Sequence, residues 1–292
     1  MTNLVLPPAP VFVLVGPPRV GKKTMISLAQ EIFPMLVIGK SFTTSQQQAD
    51  DRPDRYVFSN REAIIDALAG GEVLEWSQSG GDIYASCRPD PTKPTILVMD
   101  TTGAARIIAY HIASLPVIFI GVVPMVRYED DDRRSAAEKQ RYHQQHPRTF
   151  EAARLEVLRT HLRARGQVSP EEADALMLVA HAEMTEILTF WPNRADTHII
   201  ENVDGRREEG VAQLARIIRD KIDAWRDACD NERNRYIAEL ESESSKKVPA
   251  TKAPAESRRG SKAPALRRPP QAQSVKPKKT PVKKAPAKRK TR

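Results

Sequence analysis

The sequence predicts an α/β fold built on a parallel sheet with helices on both sides. Three observations carry this. Val11–Val15 (VFVLV), Thr95–Met99 (TILVM) and Pro116–Val123 (PVIFIGVV) are near-continuous apolar runs, as expected of strands covered on both faces, whereas a half-exposed strand would alternate. Helical patterns alternate with these strands along the first 228 residues. Finally, Val11–Thr24, VFVLVGPPRVGKKT, reads as a buried strand, a glycine loop and the start of a helix in immediate succession.

That stretch organises the rest. Gly16 breaks the first apolar run, and Gly21 and Lys22 follow five and six residues later. From Thr24 a helical pattern begins, with Met25, Leu28, Ile32 and Phe33 on one side. Glycines let backbone N–H groups turn inward, a helix N-terminus adds partial positive charge, and a lysine reaches outer phosphates. The stretch is therefore a phosphate cradle in its residue types. It departs from the strict G-x-x-x-x-G-K-[ST] spacing at Lys23, which stands where a magnesium-binding hydroxyl belongs, and Thr24 is one residue out of register.

After the cradle helix, Leu36–Ile38 is a short strand, and Lys40–Pro53 is polar and turn-rich. Tyr56–Phe58, Val73–Trp76 and Ile83–Ala85 are strand-like pieces around a helix at Arg61–Leu68, so residues 40–93 form an inserted subdomain. Arg127–Arg148 is highly polar and reads as a solvated excursion. Phe150–Arg165 is helical and stops at Gly166. Ser169 then caps a second helix, with Pro170 in its first turn and Glu171 and Glu172 complementing its dipole, running to about Leu188. His198–Ile200 is a strand, and Arg206–Trp225 is an amphipathic helix with Val211, Leu214, Ile218, Ile222 and Trp225 at helical spacing.

Charge divides the chain in two. Of 46 Lys and Arg, 17 lie in residues 246–292, where the one acid is Glu256; the first 245 residues carry 29 basic and 36 acidic residues. The body is acidic and the tail strongly basic. The tail lacks aromatics and is dominated by lysine, alanine and proline, so it cannot bury enough apolar surface to offset chain entropy; residues 241–292 are expected to be disordered. Cys87 and Cys229 are too few for a disulfide framework or a structural zinc site, and no residues are assigned to a metal. No apolar run approaches membrane-spanning length and Met1–Pro10 lacks the pattern of a secretion signal, so the chain reads as soluble and intracellular, without a membrane partner.

In this order the motifs resemble guanylate kinase. The family's G-P-S-G-x-G-K-S-T is similar to Gly16-Pro17-Pro18-Arg19-Val20-Gly21-Lys22-Lys23-Thr24, its S-x-T-T-R to Ser41-Phe42-Thr43-Thr44-Ser45, and its Y-x-F to Tyr56-Val57-Phe58. F-L-E-W followed by G-N-Y-Y-G-T/S resembles Val73-Leu74-Glu75-Trp76 and Gly81-Asp82-Ile83-Tyr84-Ala85-Ser86, the most specific piece. Asp100 before Gly103, His161-Leu162-Arg163-Ala164-Arg165-Gly166 for R-L-x-x-R-G, and Ile199-Ile200-Glu201-Asn202 for V-I-x-N complete the set.

The resemblance implies a P-loop nucleoside-monophosphate-kinase fold over residues 8–240. It has a core (8–39, 94–124 and 195–240), a GMP-binding subdomain (40–93) and an enlarged helical lid (125–194). It further implies that Gly16, Gly21, Lys22 and Thr24 hold ATP phosphates with Asn202 near adenine. Glu75, Ser86 and Asp100 would read guanine, whose N1–H and N2–H₂ form a donor edge suited to carboxylates. Ser41, Tyr56 and Tyr84 would hold the GMP phosphate, with Lys22 and Arg165 catalytic. ATP is the implied cosubstrate, and Mg²⁺ would accompany it although Lys23 replaces its usual ligand.

The departures from the family concern charge. Ser45 and Gln48 stand at two phosphate-arginine positions, His161 and Leu176 at two lid-arginine positions. Hydrogen bonds to charged groups are worth roughly 1.5–3 kcal/mol each, so two lost arginines remove about 3–6 kcal/mol of GMP affinity. The enlarged lid carries Arg133, Arg134, Arg148, Arg154, Arg159 and Arg163 as candidate replacements. The altered loop also resembles non-catalytic guanylate kinase-like domains of scaffold proteins, which bind protein partners through the former GMP face. SVKPKKTPVKKAPAKRKTR resembles the tails of linker histones and nucleoid proteins and suits phosphate-backbone contacts or nuclear import. That implies a nucleic-acid or acidic partner for residues 246–292, with nuclear localisation in a eukaryote and cytoplasmic or nucleoid localisation otherwise.

Overall fold

The structure is a computed structural model that describes residues 4–47, 55–79, 81–110, 115–125, 138, 147–164, 169–191, 194, 196–203 and 207–246. The chain divides into a body, Met1–Ser245, and a second unit, Lys246–Arg292. Expectations for Gln48, Arg133, Arg134, Arg165 and residues 247–292 fall outside the described residues, as does the side chain of Arg148.

The core sheet contains β1 (Val11–Val15), β2 (Val37–Ile38), β7 (Thr95–Met99), β8 (Val117–Met125) and β9 (Thr197–Val203). Their order is β2-β7-β1-β8-β9, and every pairing is parallel. All five residues of β1 are buried, which explains their unbroken apolar character. Alternate residues serve opposite faces. Phe12 and Leu14, with Ile96, Ile118, Ile120 and Val122, pack against α1 (Lys22–Ile32) and α6 (Arg207–Lys246). Val11, Val13 and Val15, with Leu97, Met99 and Phe119, pack against α3 (Thr101–Tyr110) and α5 (Pro170–Phe190). Burying each such side chain contributes about 1.5–3 kcal/mol.

A second sheet of four strands has the order β4-β3-β6-β5, from β3 (Ser41–Thr43), β4 (Tyr56–Phe58), β5 (Val73–Ser79) and β6 (Asp82–Cys87). Its apolar face, with Phe42, Val73, Ile83 and Ala85, packs on Ile64 and Ala67 of α2 (Arg61–Ala69). A further helix, α4 (Pro147–Ala164), lies between β8 and α5 in the chain and packs on both.

Three elements differ from expectation. α3 and β3 go unannounced by any periodicity: α3 is short and contains Gly103, and the polar β3 is a strand because β4 and β6 pair with it on either side. The last helix runs on past Trp225 to Lys246, taking in residues 241–246 that the sequence assigns to the tail. Its extension has little core stripe and is supported along its own surface by the pairs Arg226–Asp223, Arg233–Asp230 and Arg235–Glu232.

Candidate functional site

The loop after β1 is built around two glycines. A Cβ on Gly16 would come within 2.3 Å of the Val122 carbonyl oxygen, so β8 leaves no room for a side chain. Gly21 has φ +97°, and a Cβ there would lie 2.7 Å from Asn202 Nδ2. α1 starts at the next residue with no side-chain cap, which leaves its first N–H groups open to an anion. Lys22 Nζ folds back to donate to the carbonyl oxygens of Gly16 and, at 3.0 Å, Pro17. Lys23 and Thr24 are exposed on the first turn. Asn202, which the resemblance places near adenine, donates Nδ2–H to Val20 O at 2.8 Å and so fastens β9 to the loop.

Of the six residues expected to hold GMP, all but Asp100 lie on one face of the four-stranded sheet. Register pairs Tyr56 with Ser41, Ser41 with Ser86 and Ser86 with Glu75, a single row across four strands. Two residues along, the next same-facing row is Phe58, Thr43, Tyr84 and Ser77. This face is opposite the one covered by α2. Within the first row Ser86 Oγ donates to Glu75 Oε1 at 2.5 Å, while Glu75 Oε2 is buried without a hydrogen-bond partner among the described residues. Burial above all, with Asp100 adding to it, pushes the Glu75 carboxyl up to about 7 against the pull of Ser86 and Arg106.

Asp100 brings the core sheet to the same place. It ends β7, and its Oδ1 accepts the Gly103 N–H at 2.7 Å at the start of α3. A Cβ on Gly103 would sit 2.7 Å from Glu75 Oε2, so the missing side chain there lets the two carboxylates approach. Loop, Glu75 and Asp100 thus meet at the carboxyl ends of β1 and β7, where the strand order reverses and α/β sheets ordinarily take ligands.

Three charged residues at this cleft escaped the sequence reading. Glu183 of α5 is buried, and its carboxyl is raised chiefly by that burial. Arg55, just before β4, stands 5.7 Å over the Tyr56 ring. Arg106 of α3 stacks 4.2 Å over Trp76, with Nη1 buried and without a hydrogen-bond partner among the described residues. Glu183 was legible in principle. It lies within the apolar stripe Met177, Ala180, Met184 and Ile187, where a lone acid demands a reason. Arg154, a candidate replacement cation, is already engaged: its Nε–H donates to Pro124 O at 3.1 Å and its Nη2 pairs with Glu201 at 2.6 Å. Arg159 pairs with Glu156 one turn away, and Arg163 is exposed.

No family model matches the chain. Over 106 residues, 33% of this chain and 51% of the relative, it is 30% identical to the guanylate kinase of Rhodococcus jostii (strain RHA1). Identity is 36% over 106 residues to that of Nocardia farcinica (strain IFM 10152), covering 33% of this chain and 55% of the relative. It is 31% over 130 residues to guanylate kinase 1 of Arabidopsis thaliana, covering 42% and 33%. The chain spans about half the length of the bacterial relatives it matches. A crystal structure of guanylate kinase from Anaplasma phagocytophilum aligns at a TM-score of 0.49 and 19% identity, over 74% of this chain and 87% of that one.

A parallel sheet whose central strand runs through a glycine loop into a helix, with a small sheet inserted beside it, defines an α/β protein of the P-loop class. The sequence relatives narrow this: the chain carries a guanylate kinase-like domain. Among the described residues, no helix is long and apolar enough to cross a membrane.

Proposed function

We propose that the cleft binds GMP on the four-stranded sheet and ATP phosphates on the loop after β1. It then transfers a phosphoryl group between them, giving ADP and GDP, at a rate lowered by missing cations. One observation carries this reading: a buried Glu75 oxygen, without a hydrogen-bond partner among the described residues, lies beside Gly103 at the end of a row formed with Ser41, Tyr56 and Ser86. Carboxylates accept but do not donate, which suits the N1–H and N2–H₂ edge of guanine. Ser86, by donating to Glu75, fixes which carboxylate oxygen stays open for the base. Ser41, Tyr56 and Tyr84 then offer hydroxyls toward the phosphate.

On the other side, Lys22 exchanges the loop carbonyls for the ATP phosphates and neutralises charge as the phosphoryl group moves, with Arg165 as the second cation. Gly16 and Gly21 let the loop close on phosphate, Thr24 belongs to the first turn behind it, and Asn202 holds the loop. The start of α1 does not suit magnesium. Lys23 places an ammonium where a hydroxyl would bind the ion, and the described residues hold no cluster of three His, Cys, Asp or Glu suited to a metal. The test is incubation of the full chain with ATP, Mg²⁺ and GMP. GDP should form slowly and disappear with Lys22→Ala; no product above that background rejects the reading.

A second reading is favoured by Lys23 and Ser45: the domain has given up turnover and binds a protein or nucleic acid through the sheet face and the basic tail. Removing residues 247–292 should then abolish salt-sensitive retention on DNA or RNA, and equal retention by the truncated chain rejects the tail's role.

A further inference from the structure

Phosphoryl transfer, as proposed above, leaves one buried acid of the cleft without a task. Glu183 is 7% exposed, and its Oε2 has no hydrogen-bond partner among the described residues. Packing sets its place. The Trp191 ring, just after α5, meets Phe119 edge-on at 5.5 Å between centroids. One turn earlier, Ile187 presses on β8 where Gly121 makes room: a Cβ there would lie 2.5 Å from Ile187 Cγ2. Each turn back along α5 thus moves about two residues toward the carboxyl end of β8. Gly121 is level with Val15, the last residue before the loop. One more turn brings Glu183 level with the loop carbonyls that hold Lys22. There it accepts the Thr101 N–H at the start of α3.

The charges around it come from four elements. Lys22 of α1 is its main opposing charge, Asp100 closes β7, Glu186 shares α5, and Arg55 reaches Lys22 from the start of β4. Burial is the largest influence on both partners, raising the Glu183 carboxyl and lowering the Lys22 ammonium, while their mutual attraction works against it.

We propose that Glu183 is a positioning residue of the phosphate loop: its carboxylate is the resident counter-ion of Lys22 in the empty cleft, and it yields that ammonium to an incoming polyphosphate by taking up a proton. This rests on the loop being a phosphate site. A buried carboxylate with an unsatisfied oxygen cannot stay ionised cheaply beside three phosphates. Their charge acts in the same direction as burial, so binding raises the carboxyl further and draws one proton from the buffer. Affinity for polyphosphate therefore falls as pH rises past 7, the region to which burial already brings Glu183.

Lys22 also titrates near this range, so the test removes its contribution. Lys22→Arg keeps the positive charge at any working pH. ATP is titrated calorimetrically into the full chain bearing Lys22→Arg, with and without Glu183→Gln, at pH 7.5 in HEPES and in Tris. Comparing the two buffers gives the protons taken up per ATP, and subtracting the variants cancels the nucleotide's own titration. The single variant should take up at least about half a proton more than the double variant. Its ATP affinity should also fall between pH 7 and 8.5, a slope the double variant lacks. Equal proton uptake overturns the inference and leaves the loop reading standing, as does a flat pH profile in the single variant, which needs no Glu183 substitution. Failure of the unsubstituted chain to bind ATP overturns both.

Discussion

Glu75→Gln should separate stability from recognition. Burial raises the Glu75 carboxyl from its ordinary 4.5 to about 7. At 1.36 kcal/mol per unit, holding it ionised costs the folded state about 3 kcal/mol as an upper figure. The sign follows from the direction. An acid whose folded pKa is raised contributes its full stability below about pH 4.5 and loses it as pH climbs through 7. Glutamine has the same shape, keeps an oxygen to accept from Ser86 Oγ, and never ionises. The variant should therefore exceed the unsubstituted chain in stability by less than about 1 kcal/mol at pH 5 and by up to about 3 kcal/mol at pH 8.

Recognition should move the other way. The substitution puts an amide donor or a weaker acceptor where the guanine edge needs a carboxylate, costing about 1.5–3 kcal/mol, or roughly 10- to 150-fold in GMP affinity. Urea unfolding at both pH values and a GMP titration at pH 8 supply the numbers. A stability change that is the same at pH 5 and pH 8, or GMP affinity that survives intact, would show that Glu75 is not the strained acceptor described.

Two further substitutions test the scaffold. Arg154→Ala removes the pair with Glu201 and the bond to Pro124 O, and should lower unfolding stability by about 1.5–3 kcal/mol while leaving GMP affinity within about twofold. A loss of GMP affinity with unchanged stability would instead make Arg154 a ligand-binding cation. Gly21→Ala forces a side chain into a left-handed position against Asn202, so ATP affinity should fall at least about tenfold in calorimetry, whereas an unstrained loop would bind normally.

How far residues spoke for themselves depended on whether the cause was local. β1, β7 and β8 are legible because burial on both faces demands apolar residues at every position, and Thr95–Met99 matches its predicted span. The capping box at Ser169 and Glu172 is equally local and is present as a pair of reciprocal hydrogen bonds. β3 was not legible: Ser41–Thr43 is too short and polar to announce a strand, and its partners are up to 45 residues away in the chain. α3 hides behind Gly103, which is kept small by a contact with Glu75 that no local pattern reveals.

The site divides in the same way. Lys22, Glu75, Tyr84 and Asp100 stand out in the sequence because motif order marks them. That Ser41, Tyr56, Ser86 and Glu75 share one row is a matter of register between strands, which spacing along the chain does not encode. Asn202 illustrates the gap. Its motif position points to a base neighbour, and no local pattern reveals that its Nδ2–H also ties β9 to the loop at Val20 O. Glu183, a charge set on an otherwise apolar helix face, could be suspected from the sequence, but its partners, like the Glu201 that engages the candidate cation Arg154, come from other elements.

The central claim is that a base-reading sheet and a phosphate loop face each other across one cleft. Titration of the full chain with adenosine and guanosine joined through five phosphates tests it whether or not turnover survives. Occupancy of both halves by one molecule predicts binding at least about a hundredfold tighter than ATP or GMP alone, weakened by Lys22→Ala and by Glu75→Gln separately. An affinity no better than that of ATP, untouched by Glu75→Gln, would contradict it.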